Sequence, residues 1–170
     1  MTITAKQIRI AVVLPAYNEE TTVANTMSEF HAELPDAMII VVNNNSSDHT
    51  HAVATQTLGA LGAKGKVLDE PRAGKGNAVR RAFLEVDADI YVLADADQTY
   101  PAARVHDLIK PLLENRADMV VGDRRSGGDG GRLRRNPRVQ DRAGVRRPGS
   151  SPPNQGRRRT GARGDPQPQR

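Results

Sequence analysis

Residues 90–97, Ile90-Tyr91-Val92-Leu93-Ala94-Asp95-Ala96-Asp97, decide the fold. Five apolar residues run without a polar break and end in two acids one residue apart. An apolar run of this length without alternation reads as a parallel strand buried on both faces. Pro101 opens a helix shortly afterwards. The acids therefore stand at the carboxyl end of a strand, where open α/β sheets bind ligands. Two carboxylates this close repel each other unless a divalent cation or several hydrogen-bond donors lie between them and a substrate. A single Asp would read equally well as a turn residue or a helix N-cap. The pair after five apolar residues favours a binding role.

Working outward, residues 1–122 alternate between strand and helix signals. Arg9 to Leu14 is a strand that Pro15 stops. Thr21 to Leu34 carries Val23, Met27, Phe30 and Leu34 at helical spacing. Met38 to Val42 is a second strand, and Asp48 caps a helix ending near Gly59 or Gly62. Lys66 to Leu68 is a short third strand. Lys75 to Val86 is a helix with Val79, Ala82, Phe83 and Val86 on one face. Ile90 to Ala94 is the fourth strand, Ala102 to Leu113 a helix despite Pro111, and Asp118 to Val121 a fifth strand. Strands separated by helices of this length imply βαβ units and a mostly parallel sheet. The fold class expected is α/β, Rossmann-like.

The 170 residues include no Cys, so neither a disulfide framework nor a Cys-based metal site is available. No apolar run approaches the roughly 18 residues of a membrane span, and Met1 to Ala5 lacks a signal-peptide core. The location expected is cytoplasmic. The net charge of +5 conceals two regions. Residues 1–122 hold 11 Lys and Arg against 16 Asp and Glu, whereas residues 123–170 hold 14 Arg, no Lys and 4 Asp. Gly and Pro fill 15 of those last 48 positions, with neither helical nor strand periodicity. Such a composition does not offset its ordering entropy, so residues 123–170 are expected to be a basic, disordered tail behind a domain at 5–122. No Phe or Tyr interleaves with the arginines, which argues against specific nucleic-acid binding. Arg, Gly, Pro and Ser also dominate GC-rich DNA translated in a shifted frame. A frame change shortly after Gly122 accounts for so abrupt a switch.

Three further constellations fall at carboxyl ends of expected strands. Pro15-Ala16-Tyr17-Asn18-Glu19-Glu20 follows the first. Tyr17 offers a ring to a base and Glu19 an acceptor to a hydroxyl, although acidic residues also suit a helix start. Asn43-Asn44-Asn45-Ser46-Ser47-Asp48 follows the second. Its amides both donate and accept, as the edge of a pyrimidine requires, and a polar loop with an N-cap is the alternative. Arg72-Ala73-Gly74-Lys75-Gly76-Asn77 precedes the third helix. Glycines allow close approach to phosphate, the helix amino end favours anions, and Lys75 adds charge. It is not a Walker A loop, because Asp69 and Gly76 occupy positions that the pattern reserves for Gly and Ser or Thr. A flexible basic turn is the other reading.

Together these segments resemble the family 2 nucleotide-sugar glycosyltransferases. The matching stretches are 12–20 (Val-Val-Leu-Pro-Ala-Tyr-Asn-Glu-Glu), 40–48 (Ile-Val-Val-Asn-Asn-Asn-Ser-Ser-Asp), 74–76 (Gly-Lys-Gly) and 95–101 (Asp-Ala-Asp-Gln-Thr-Tyr-Pro). Gly122-Asp123-Arg124 is similar to the family's Gly-Ser-Arg element. Within the family the likeness is strongest to enzymes that load sugars onto polyprenyl phosphates, such as dolichyl-phosphate mannosyltransferases. The resemblance implies a GT-A fold over about residues 5–126. It implies a nucleotide site of Pro15, Ala16, Tyr17, Glu19, Asn44, Lys75 and Asp95, with Tyr17 near the base and Glu19 on the ribose side. Asn44 stands where the family usually has an Asp that reads the base. Lys75 would neutralise phosphate, Asp95 and Asp97 would hold Mg2+ or Mn2+, and Arg124 would approach the donor or acceptor phosphate. The implied partners are a nucleotide-sugar donor and a polyprenyl-phosphate acceptor, which would bring the protein to the inner membrane face. A phosphate acceptor is already ionised and needs no general base, so none is named. Two other readings stand beside this one. One is a nucleotide-binding fragment without catalysis. The other is a haloacid-dehalogenase-type phosphatase, whose Asp-x-Asp-x-Thr pattern Asp95 to Thr99 also fits.

Overall fold

The computed structural model describes residues 8–122. The tail expected over 123–170, and Arg124 with it, lies outside the described residues. Four parallel strands form one sheet in the order β3-β2-β1-β4. In chain order the elements are β1 (Ile10–Ala16), α1 (Val23–Glu33), β2 (Met38–Asn43), α2 (Thr50–Leu61), β3 (Gly65–Asp69), α3 (Lys75–Glu85), β4 (Ile90–Leu93) and α4 (Val105–Leu113). A single 3-10 turn, Ala102–Arg104, leads into α4.

The central strands are apolar up to Asn43 at the end of β2, because both faces are covered. Val12, Leu14, Ala16, Ile39, Val41 and Val92 pack with Val23, Met27 and Phe30 of α1, Ala54 of α2, and Val105 and Ile109 of α4. The alternate residues, Ala11, Val13, Ile40, Val42 and Leu68, pack with Ala78 and Ala82 of α3 and with Val86. Helices thus lie on both sides of the sheet. The chain winds from β1 outward to β3, then returns to place β4 on the other side of β1. That reversal, between the carboxyl ends of β1 and β4, is the switch point at which doubly wound sheets open a binding crevice.

Several expectations are corrected. Pro15 does not stop β1, which pairs in register as far as Ala16 opposite Asn43. The carbonyl of Val13 accepts from Ala94 and that of Ala16 from Asn44. Alternation therefore turns Pro15 towards the β4 side, beyond the last β4 residue, where no ladder bond requires its missing N–H. The fifth strand expected over 118–121 is reduced to an isolated bridge at Val121. Among the described residues Met119 and Val121 stay half exposed. Phe83 is also half exposed. Its ring sits edge-on to Tyr91 with centroids 4.8 Å apart, while Ala78 and Ala82 form the buried stripe of α3. Asp48 lies one position before the cap residue His49, yet its Oδ1 still accepts from the Thr50 N–H at 3.0 Å. Gly62 ends α2 with a positive φ of 59°. Among the described residues no helix is long and apolar enough to cross a membrane.

Candidate functional site

Four loops meet at the carboxyl edge of the sheet. After β1, Tyr17 projects into solvent at 60% exposure. Asn18 takes a left-handed φ of 56°, which Asn tolerates better than most residues. Hydrogen bonds lace this loop to the one after β2. The Asn18 N–H donates to Ser46 Oγ (3.0 Å), Glu19 N–H to Thr50 Oγ1 (2.8 Å) and Glu20 N–H to Asp48 Oδ2 (3.1 Å). In return Ser47 N–H donates to Asn18 Oδ1 (2.9 Å) and His49 N–H to Glu20 Oε2 (2.9 Å). Burial pushes the Asp48 carboxyl up, but the bonds from Thr50 and Glu20 outweigh it and hold the group below the usual carboxylate range. Glu19, half-buried, accepts from Thr22 Oγ1 at 2.7 Å.

The β2 loop is tied in turn to the β3–α3 loop. Asn44 is 5% exposed and donates from Nδ2 to the carbonyls of Glu70 (3.0 Å) and Arg72 (2.7 Å). Its Oδ1 accepts from the Gly74 N–H at 2.8 Å. This is not the placement expected of a base reader, because the amide is spent on backbone rather than turned to the crevice. Glu70, buried among the loops, accepts from Arg72 through its backbone N–H and two guanidinium nitrogens at 2.8–2.9 Å. Arg72 holds the Glu70 carboxyl down to about 2 by those hydrogen bonds, against the burial that would raise it.

Gly74, at φ 116°, is the cap of α3, so Lys75 starts the helix with its amino end at the crevice. The Lys75 ammonium lies against the Asp95 carboxylate, closing the circuit from β3 to β4. Asp97 Oδ1 accepts from Thr99 through both N–H (3.0 Å) and Oγ1 (2.7 Å), an Asx turn that fixes its direction. Between the acids, Ala96 is buried, and Thr26 Oγ1 of α1 lies 3.1 Å from its carbonyl. The structure therefore brings Lys75 and Asp95 into contact, sets Asp97 beside them in sequence, and puts Pro15 and Ala16 at the end of β1 with Tyr17 and Glu19 on the loop that follows, across the switch point. Thr26, Asn18, Thr50 and Glu70 were missed by sequence reasoning. Thr26, Asn18 and Thr50 pair with backbone atoms far away in the chain and Glu70 with Arg72 two residues on, and no spacing rule marks any of them.

A sequence profile described as Glycosyl transferase family 2 matches residues 11–165. The chain belongs to glycosyltransferase family 2. The match runs on past Gly122 into the basic segment. Among curated relatives, the protein RfbJ of Shigella flexneri is 44% identical over 120 residues, 71% of this chain and 88% of RfbJ. The dolichol-phosphate mannosyltransferase of Pyrococcus furiosus is 28% identical over 69% of this chain and 33% of its own length. Of the solved structures, glucosyl-3-phosphoglycerate synthase from Mycobacterium tuberculosis superposes with a TM-score of 0.52 and 32% identity. The superposition covers 62% of this chain and 39% of that one, which holds Mn2+, UDP and phosphoglyceric acid. The chain spans most of RfbJ but well under half of the other two proteins. Family membership fixes the α/β architecture as GT-A-like and removes the phosphatase alternative.

Proposed function

We propose that residues 8–122 bind the nucleoside-diphosphate part of a sugar donor, and that the protein transfers the sugar to an acceptor that itself carries phosphate, such as a polyprenyl phosphate. The observation that carries this reading is the contact of Lys75 with Asp95 at the switch point. A cation for phosphate and an acid for a metal meet there on the amino end of α3. A relative named dolichol-phosphate mannosyltransferase and a neighbour holding UDP support the choice of donor and acceptor.

Tyr17, open to solvent, provides a ring on which a base can stack, with Pro15 and Ala16 as the strand end behind it. Glu19 lies on the ribose side. Lys75 takes the diphosphate, and Asp95 lines the nucleotide site beside it. Arg124, outside the described residues, is assigned to the donor or acceptor phosphate. Asp95 and Asp97 present hard carboxylate oxygens, which suit Mg2+ or Mn2+. Asp95 and Asp97 would be the protein residues that hold the cation, next to the diphosphate that Lys75 faces. When bound, the cation neutralises charge on the departing nucleoside diphosphate. The protein's own part is to orient the diphosphate between Lys75 and the acids, with the Asx turn keeping Asp97 in place.

Titration calorimetry of the purified chain with UDP and GDP, with and without Mn2+, tests the reading. Binding is expected with Mn2+ and should be lost in EDTA, and Asp97→Ala should remove most of the affinity together with its metal dependence. Equal affinity in EDTA and Mn2+ would discard the metal, and no binding of either nucleotide would discard the donor site. Incubation with UDP-glucose or GDP-mannose and a polyprenyl phosphate then tests transfer. Nucleotide binding without glycolipid product would favour a binding module that lacks catalysis.

A further inference from the structure

We propose that Asn44 is a positioning residue for Lys75, and not a reader of the nucleotide base. The proposal rests on the donor-binding reading above and assigns a specific task within that site. Both ends of the Asn44 amide are committed. Nδ2 carries two hydrogens and meets two carbonyls, those of Glu70 and Arg72, while Oδ1 meets the N–H of Gly74. These partners also fix which end is nitrogen, because a carbonyl needs a donor and an N–H needs an acceptor. With 5% of the residue exposed, little of it is left to face a ligand. Its own N–H is held by the carbonyl of Ala16, so the clamp is anchored on β1.

The clamp acts directly on the residue before Lys75. Pinning the Gly74 N–H fixes the cap of α3, and with it the point from which the Lys75 side chain reaches Asp95. Arg72 in the same loop is turned back onto Glu70 by a two-pronged ion pair, which leaves Lys75 to serve the crevice. The chemistry is particular to an amide. A carboxylate donates no hydrogen bond, so an Asp at position 44 would set its charge against the carbonyls of Glu70 and Arg72 and would expel the loop. The Asn is therefore not a neutral stand-in for the acid usual at this position. It is the side chain that this loop conformation requires.

The test uses the full chain and two independent readouts. In Mn2+, calorimetry compares UDP with uridine (and GDP with guanosine) for wild type, Asn44→Asp, Asn44→Ala, Lys75→Ala and the Asn44→Asp/Lys75→Ala double variant. Lys75→Ala should weaken the diphosphate by about 10–100-fold, the usual worth of one charge-assisted contact. Asn44→Asp should weaken it by about tenfold or more and leave the nucleoside within about twofold. Its effect should largely vanish in the Lys75→Ala background, since two residues acting through one contact are not additive. Equal losses for nucleotide and nucleoside, tighter nucleoside binding by Asn44→Asp, or an undiminished loss in the double variant would each overturn the proposal. If Asn44→Asp does not fold, Asn44→Ala carries the same cycle. Hydrogen exchange needs no ligand. The Gly74 amide should exchange about tenfold faster in Asn44→Ala while the amides of β1 and β2 keep their protection. Unchanged Gly74 exchange would overturn the clamp. A wild type that binds neither UDP nor GDP would overturn the donor reading alone, with the clamp still decided by exchange.

Discussion

Glu70 is the buried charge of the site, and its environment gives it a pH signature. Hydrogen bonds from Arg72 depress its carboxyl from an ordinary 4.5 to about 2. A group whose folded value is depressed stabilises the fold above its unfolded value and loses that contribution as pH falls through the folded one. The urea midpoint of the wild type should therefore drop between about pH 4.5 and 2. Glu70→Gln should start from a lower midpoint at pH 7 and show a shallower decline over that window; parallel curves for the two proteins would show that Glu70 does not couple to folding. Glu70 was not legible in the sequence, where it lies just past the short strand expected over Lys66 to Leu68. The meeting of Lys75 with Asp95 was legible, because both motifs were expected at carboxyl ends of strands of one sheet. Asn44 was legible as a position but not in its task. The partners of its amide come from residues 70–74, and no spacing rule connects them to residue 44.

At the scale of elements, Gly65 shows how closely the strands are fitted. It opens β3 at φ 144°, opposite Ile39 in the parallel register. A Cβ at that position would lie 1.9 Å from the Ile39 carbonyl oxygen. Gly65→Ala should destabilise the protein by about 2–3 kcal/mol, from a disfavoured backbone conformation together with a clash against β2 that cannot relax without losing register. A chemical denaturation midpoint equal to that of the wild type would refute this. Four strands and four helices were readable from apolar runs and from the helical spacing of Val23, Met27, Phe30 and Leu34, because burial imposes those periods directly. The ends of elements were less readable. Pro15 looked like a stop, and it is one only where a ladder bond is due. Residues 118–121 looked like a strand, and among the described residues only Val121 forms a bridge. Phe83 was grouped with Val79, Ala82 and Val86 on one face of α3, whereas the buried residues of that helix are Ala78 and Ala82.

At the scale of the molecule, every loop at the carboxyl edge is tethered to the next. The β1 loop is bonded to the β2 loop, the β2 loop to the β3 loop, and the β3 loop through Lys75 to Asp95 after β4. The last of these links has a thermal consequence. An ammonium on a flexible stem already stands as counter-ion to Asp95, so a nucleotide-free chain stripped of divalent ions holds a compensated charge rather than bare repulsion between neighbouring acids. In a thermal scan, excess EDTA should move the melting temperature of the wild type by no more than about 1 °C. Lys75→Ala lacks the placeholder, and its melting temperature should rise on addition of Mn2+. Assembly of the crevice would then precede its loading, with a side chain keeping the seat until the metal arrives together with its nucleotide.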